Sequence, residues 1–165
     1  MSEIIIFGAG GQLGRELSYL FPEAQKIFHK DPSGIIYDIG NETFVKKIIE
    51  SNKPDIIINA AALANVDLCE KDNALAYHTN GESVKALTKY SRANNSLLVH
   101  VSTDYVFDGK TGNYHESSIP NPINYYGTSK LIGDIYASSY ENSIIVRTSG
   151  VFSQCLYRFS VCMIC

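Results

Sequence analysis

Tyr126 and Lys130 lie four residues apart in the stretch YYGTSK, so on a helix both side chains leave the same face. That spacing is suited to proton transfer. A phenol with a pKa near ~10 is a poor acid at neutral pH, and an ammonium beside it stabilises the phenolate and lowers that value. Tyr126 would then give a proton to a carbonyl oxygen or take one from an alcohol. In a chain with 11 tyrosines the pair could also be a surface aromatic and a solvated lysine, so the neighbours decide. Upstream, VSTDYVFDG (101–109) falls at the C-terminal edge of a predicted strand, where open α/β sheets place their ligands. Thr103 can donate a hydrogen bond to the oxygen that Tyr126 protonates, whereas Ser102, adjacent on an extended chain, should face the other way. The plainer alternative is that these two hydroxyls cap a strand end.

A second group of residues has the chemistry of a phosphate site. FGAGGQLG (7–14) stands between an apolar run and a helical pattern. The strict G-x-G-x-x-G register fails because Leu13 takes the third glycine's place, but G-x-x-G-x-x-G fits at Gly8, Gly11 and Gly14. Glycine there lets the backbone turn tightly and approach a pyrophosphate, whose charge then faces a helix N-terminus. The alternative is a glycine-rich structural turn. Ribose specificity should lie near HKD (29–31): Asp31 could hold ribose hydroxyls, while His29 and Lys30 could accept a 2′-phosphate. A solvated charged turn is the other reading, and these residues do not choose between NADH and NADPH.

Elements to carry these groups are legible as short apolar runs alternating with longer amphipathic stretches, the rhythm of βαβ units. Strands are predicted at 4–7, 26–29, 34–38, 55–59, 97–102 and 144–149, apolar on consecutive positions and therefore covered on both faces, as in a parallel sheet. Helices are predicted at 12–20, 41–51, 73–94 and 124–140, the third with Leu75, Val84 and Leu87 as apolar positions. Asn41 suits an N-cap, and NKPD (52–55) closes that helix. Residues 108–124 have glycine, proline and serine but no period, so they form a long surface loop of the kind that is usually functional.

Bulk properties narrow the class. The 165 residues can bury roughly two thirds of their unfolded surface around one core. With 45% hydrophobic and 19% charged residues and a net charge of -3, nothing in the charge favours nucleic acid or an anionic membrane as partner. The opening EIIIF is too short for a membrane span or a secretory signal, and Cys69 is the sole cysteine before residue 154, so a cytoplasmic, reducing setting is expected. The C-x6-C-x2-C spacing of Cys155, Cys162 and Cys165 lacks a fourth ligand, and no metal site is expected there.

Taken in order, these motifs resemble the extended short-chain dehydrogenase/reductases, and within them the dTDP-4-dehydrorhamnose reductases. The resemblance runs from Ile4 to about Phe152. It includes DIG (38–40), INAAALANVDLCE (58–70), NGES (80–83), STDYVFDG, PNPINYYGTSK and VRTSGVF. It implies a Rossmann-like doubly wound α/β fold over residues 1–153, with Gly8, Gly11, Gln12, Leu13 and Gly14 at the cofactor phosphates. It further implies Asp38 and Ile39 at the adenine, and Ala62, Leu63 and Ala64 along the dinucleotide, with Asn80 supporting the site from behind. Tyr126 would be the proton donor and Lys130 its partner and ribose anchor. Thr103 would pair with the substrate oxygen, and Thr103 and Asp104 would touch the sugar nucleotide. The implied reaction moves hydride from NADPH or NADH to the C4 ketone of dTDP-4-dehydro-L-rhamnose, giving dTDP-L-rhamnose, with magnesium often present and a homodimer as the full-length form.

Two other readings share the resemblance. One is a sugar-nucleotide epimerase or dehydratase, although Tyr105 follows Asp104 where such dehydratases have Asp-Glu. The other is a non-catalytic NADP-binding module like the regulatory subunit of methionine adenosyltransferase, against which Tyr126 and Lys130 argue. Two departures from the family stand out. Gly150 occupies a position where many relatives have Trp, and residues 154–165 break the composition where relatives continue into a substrate-binding domain. The expectation is a truncated or frameshifted product whose turnover is in doubt.

Overall fold

A computed structural model describes residues 3–30 and 33–150. Asp31 and the tail at 154–165 lie outside the described residues.

Five parallel strands form one sheet: β1 (Ile4–Phe7), β2 (Gln25–Ile27), β3 (Ile56–Asn59), β4 (Leu97–Thr103) and β5 (Ser143–Thr148), in the spatial order β2-β1-β3-β4-β5. The chain moves outward from β1 to β2 and then crosses back to β3, so the order reverses at β1. In an open α/β sheet that reversal leaves a crevice beyond the strands' C-terminal ends. The register pairs Phe7 with Asn59, Asn59 with His100 and Thr103 with Thr148, which brings the ends of four strands to one edge.

Alternation along each strand sends side chains to both faces. Ile5, Phe7, Ile57 and Leu98 meet α2 (Glu42–Asn52), α5 (Ser83–Asn94) and α6 (Tyr125–Ser138) through Val45, Ile49, Val84, Leu87 and Ala137. Ile6 and Ile58 form a smaller cluster with Ala9 and Ala24, against which Leu17 of α1 (Gln12–Leu20) packs. Fully burying side chains of this size contributes about 1.5–3 kcal/mol each. The N-cap expected at Asn41 is present, its Oδ1 accepting from Phe44 N at 3.1 Å, and α2 ends on a left-handed Lys53 before Pro54.

Three expectations change. The run at 34–38 is no strand: it makes a single antiparallel bridge, Lys30 with Ile36, and Ile35 and Ile36 are exposed despite their apolar character. Gly34 has a left-handed φ of 89°, and the segment returns as a loop beside His29 and Lys30. The predicted helix at 73–94 is three pieces: α4 (Asn73–Tyr77), a π-turn (His78–Glu82) and α5, an inserted residue that sequence periodicity does not reveal. A six-residue helix, α3 (Val66–Lys71), was not expected; Asn65 caps it, accepting from Leu68 N at 2.9 Å.

Candidate active site

The glycine turn lies where β1 ends. Gly8 has φ 81°, and a Cβ there would come within 2.5 Å of Ala61 N at the end of β3, so only glycine fits. Gly14 is buried against the Gly8 carbonyl with no room for a side chain, which holds α1 close to the strand. Gly11 is the N-cap of α1 and supplies no side-chain bond to the first turn, which also carries no acidic residue. No acidic side chain in its own first turn neutralises the positive end of this nine-residue helix.

Beyond β3, Leu63 is fixed by a two-way clamp. Its N–H donates to Asn80 Oδ1 at 2.8 Å and its carbonyl accepts from Asn80 Nδ2 at 3.1 Å. The same Nδ2 donates to Ser129 Oγ at 2.9 Å, and Ser129 Oγ donates to the Tyr126 carbonyl at 2.8 Å. Asn80 sits in the π-turn, and the local widening presents its side chain between the β3 loop and α6. Ala62 and Ala64 flank Leu63 on the exposed side of this loop.

Helix α6 starts at an Asn124 cap, Oδ1 accepting from Gly127 N at 2.8 Å, with Tyr125 N donating to Glu70 Oε1. A Cβ on Gly127 would collide with the Tyr105 carbonyl, so this helix start lies directly on the 3₁₀ turn Asp104–Val106 that follows β4. That contact brings Tyr126 close enough to Thr103 for the threonine hydroxyl to act on the phenol. The Tyr105 ring meets the Tyr126 ring edge-on at 5.6 Å. Thr103 Oγ1 also accepts from Tyr105 N at 3.2 Å and donates to Asp104 Oδ1 at 3.3 Å. Ser102 instead turns to Asp134, so the two hydroxyls part as an extended backbone requires.

The electrostatics differ from the sequence reading. Burial pushes the Tyr126 phenol above its ordinary value, with the Thr103 hydroxyl opposing. Lys130 is itself buried, at 2% exposure, and desolvation drops it to about 8 although Asp134 pulls it up. Its Nζ donates to the Val101 carbonyl at 2.7 Å. The net direction for Tyr126 is therefore up rather than the expected down, because burial dominates.

Other residues come together that the sequence reading did not single out. Asp134, four residues after Lys130 on the buried face of α6, accepts from Arg147 Nε at 3.1 Å and lies 3.6 Å from His100 Nε2. Helical spacing from Lys130 was the signal that could have found Asp134; nothing local marks His100 or Arg147. Just before α2, Asp38 Oδ1 accepts from Gly40 N at 2.9 Å and Oδ2 meets His78 Nε2 at 2.8 Å. His78 Nδ1 reaches Glu82 Oε2 at 2.9 Å, and these two carboxylates raise the imidazole's pKa. Burial raises Asp38, but His78 and the Gly40 N–H outweigh it and leave the carboxyl below its usual range. The Ile39 side chain packs into the core. His29 and Lys30 are exposed at the end of β2.

The long loop closes on itself. Phe107 and Tyr114 stack at 4.4 Å, and Asp108 accepts from the Tyr114 hydroxyl, Lys110 N and Asn121 Nδ2, which hold its carboxyl at about 2. Together with Asp104 and Tyr105 it encloses an open cavity of about 710 Å³. Among the described residues there is no group of three or more His, Cys, Asp or Glu side chains that could hold a metal ion. Among the described residues no helix is long and apolar enough to cross a membrane.

A glycine turn at the crossover of a parallel sheet, facing a Tyr-x-x-x-Lys helix whose tyrosine meets a threonine at the next strand's end, is the arrangement of the Rossmann-like short-chain dehydrogenase/reductases. Comparison with known proteins narrows this class. The chain belongs to the RmlD substrate binding domain family, which matches residues 1–164. A dTDP-4-dehydrorhamnose reductase of Aggregatibacter actinomycetemcomitans is 42% identical over 158 residues, covering 93% of this chain and 53% of that protein. The structure of a hypothetical dTDP-4-dehydrorhamnose reductase from Sulfolobus tokodaii superposes with a TM-score of 0.86 at 44% identity, over 92% of this chain and 57% of that one. The dTDP-4-dehydrorhamnose reductase of Bacillus anthracis, solved in complex with NADP, gives 0.82 at 36% identity, over 90% and 53%. The chain therefore spans about half the length of the relatives it matches.

Proposed function

We propose that residues 1–153 form the NAD(P)-binding and proton-donating half of a dTDP-4-dehydrorhamnose reductase, which reduces the C4 ketone of dTDP-4-dehydro-L-rhamnose to dTDP-L-rhamnose. The observation that carries the reading is the seating of the α6 start, through Gly127, on the turn that ends β4, which sets Tyr126 beside Thr103 on the same sheet edge as the Gly8–Gly14 turn.

The residues present fit a dinucleotide. Gly8, Gly11 and Gly14 keep side chains out of the approach to α1, and Gln12 and Leu13 open its first turn toward a pyrophosphate. Asp38 and the Ile39 backbone would meet the adenine, and Ala62, Leu63 and Ala64 would line the path to the nicotinamide. Lys130 would anchor the ribose: the Val101 carbonyl takes one of the three ammonium donors, which leaves the others for ribose hydroxyls. When bound, a reduced nicotinamide supplies hydride to the ketone carbon.

The chain's own part is the proton. Thr103 and Tyr126 would both point at the ketone oxygen, and Tyr126 would pass its phenolic proton there as the carbon gains hydride, leaving an alcohol and a phenolate. Because burial keeps Tyr126 protonated at neutral pH, the cofactor-free site is poised as an acid, which suits reduction. Asp104 would contact the sugar nucleotide.

The test follows NADPH and NADH binding by fluorescence and ketone reduction by loss of reduced-coenzyme absorbance, in the chain and its Tyr126→Phe variant. Saturable binding with turnover lost in the variant is the expected result. Binding without turnover in either protein would favour a coenzyme-binding module. Absence of binding would overturn the reading.

A further inference from the structure

Lys130 is one of several polar groups buried behind the site, and they have an order. Asn59 Nδ2, at the end of β3, donates to His100 Nδ1 at 3.1 Å, so the proton of the neutral imidazole resides on Nε2. That Nε2–H points to Asp134 Oδ1 across 3.6 Å, too long for a regular hydrogen bond. Among the described residues neither Nε2 nor Oδ1 has a hydrogen-bond partner, and Ser102 Oγ beside them makes no bond of regular geometry. The other carboxylate oxygen is occupied by Arg147. Asp134 is 2% exposed and Lys130 likewise, and they stand at i and i+4 on one face of α6.

A buried anion with one oxygen free of hydrogen bonds is expensive unless a cation faces it. Among the described residues the cations available are Arg147 from β5, bonded to Oδ2, and Lys130 one turn away on α6. His100 from β4 cannot serve, because burial and the charge of Lys130 hold it neutral. The Val101 carbonyl of β4, which accepts from Lys130 Nζ at 2.7 Å, carries no charge.

We infer that Asp134 is a positioning residue for Lys130: its buried carboxylate is the counter-charge that keeps the lysine an ammonium, in place behind Tyr126, before any coenzyme arrives. Arg147 competes for the same carboxylate and so limits how strongly Lys130 is held. The inference rests on the reductase reading for its purpose, a charged anchor for the coenzyme ribose, but not for its physics. Without Asp134 the lysine would face burial and the neighbouring guanidinium alone, and would be neutral over much of the pH range in which it must hold a ribose hydroxyl.

The experiment titrates Lys130 directly, by NMR of the cofactor-free chain labelled with isotopic lysine, its signal assigned by loss in Lys130→Met. The unsubstituted chain should show a midpoint near 8. Asp134→Asn should lower it by about one pH unit, the low end of the effect of a neighbouring opposite charge, and Asp134→Glu should restore most of it. Should Asp134→Asn fail to fold, Arg147→Gln keeps the question open to refutation: freeing the carboxylate should raise the midpoint. The pH at which NADPH affinity falls by half should move with the lysine in each variant. A Lys130 midpoint unmoved by Asp134→Asn in folded protein, or unmoved or lowered by Arg147→Gln, overturns the inference. Failure of NADPH to bind at all would sink the reductase reading while the lysine titration still decided the role of Asp134.

Discussion

At the scale of single residues, acid and anchor are separated. Tyr126 is kept protonated by burial and Lys130 is brought within reach of neutrality by the same cause. Tyr126→Phe is expected to lower turnover about 10²–10⁴-fold, the usual worth of a positioned proton donor, while leaving the coenzyme dissociation constant unchanged. A coenzyme titration beside a rate measurement separates the two effects. Coenzyme affinity should also weaken as pH rises through about 8, where Lys130 loses its charge. The types and spacing of Tyr126 and Lys130 were legible in the sequence, because helical geometry follows from spacing alone. The direction of their pKa shifts was not, because it depends on how much water the finished fold removes from each group.

At the scale of elements, the site depends on a few close backbone approaches. Gly127→Ala would set a methyl group against the Tyr105 carbonyl, forcing α6 away from the 3₁₀ turn and Tyr126 from Thr103. It is expected to destabilise the chain by about 1–3 kcal/mol in urea titrations. Turnover should fall by more than this loss of folded protein explains. Asn80→Ala would orphan the Leu63 N–H, and each buried group left unpaired costs about 1–3 kcal/mol. Amide exchange at Leu63 should therefore quicken before the rest of the sheet loosens. The strands and the Asn41 cap could be read from apolar runs and a capping residue. The π-turn and the loss of the 34–38 strand could not: the first leaves apolar spacing nearly intact, and the second turns on whether the sheet edge finds a partner.

At the scale of the whole molecule, two groups give stability opposite pH slopes. Lys130 has a folded pKa of about 8 against an ordinary 10.5, so the unfolded chain binds the extra proton and stability rises with pH between those values. Carrying the buried lysine at neutral pH costs on the order of 3 kcal/mol. Urea midpoints should accordingly be higher near pH ~9.5 than near ~7, and Lys130→Met should flatten the difference. His78 works the other way. Its pKa is raised, so the stability from its pairing with Asp38 and Glu82 is full below the ordinary 6.5 and fades as pH rises through the folded value. Asp38 is lowered, so its share is present above 3.8 and disappears as pH falls through the folded value. The Asp38–Gly40 turn should be tightest between 3.8 and 6.5, seen as the slowest exchange of the Gly40 amide after correction for intrinsic rates.

The π-turn at His78–Glu82 also constrains which changes of length the chain can absorb. It is a one-residue surplus, and an α-helix rotates about 100° per residue. Deleting any single codon there would let α4 and α5 fuse into an unbroken helix, and everything on one side would swing more than a quarter turn about the axis. Either Val84 and Leu87 would leave the core or Ala76 would, and Asn80 would no longer face Leu63. Point changes in this stretch alter one contact at a time, whereas a single deletion would rewrite the phase of the whole segment. Alleles of this gene should therefore vary in spelling across codons 78–82 while keeping the same count.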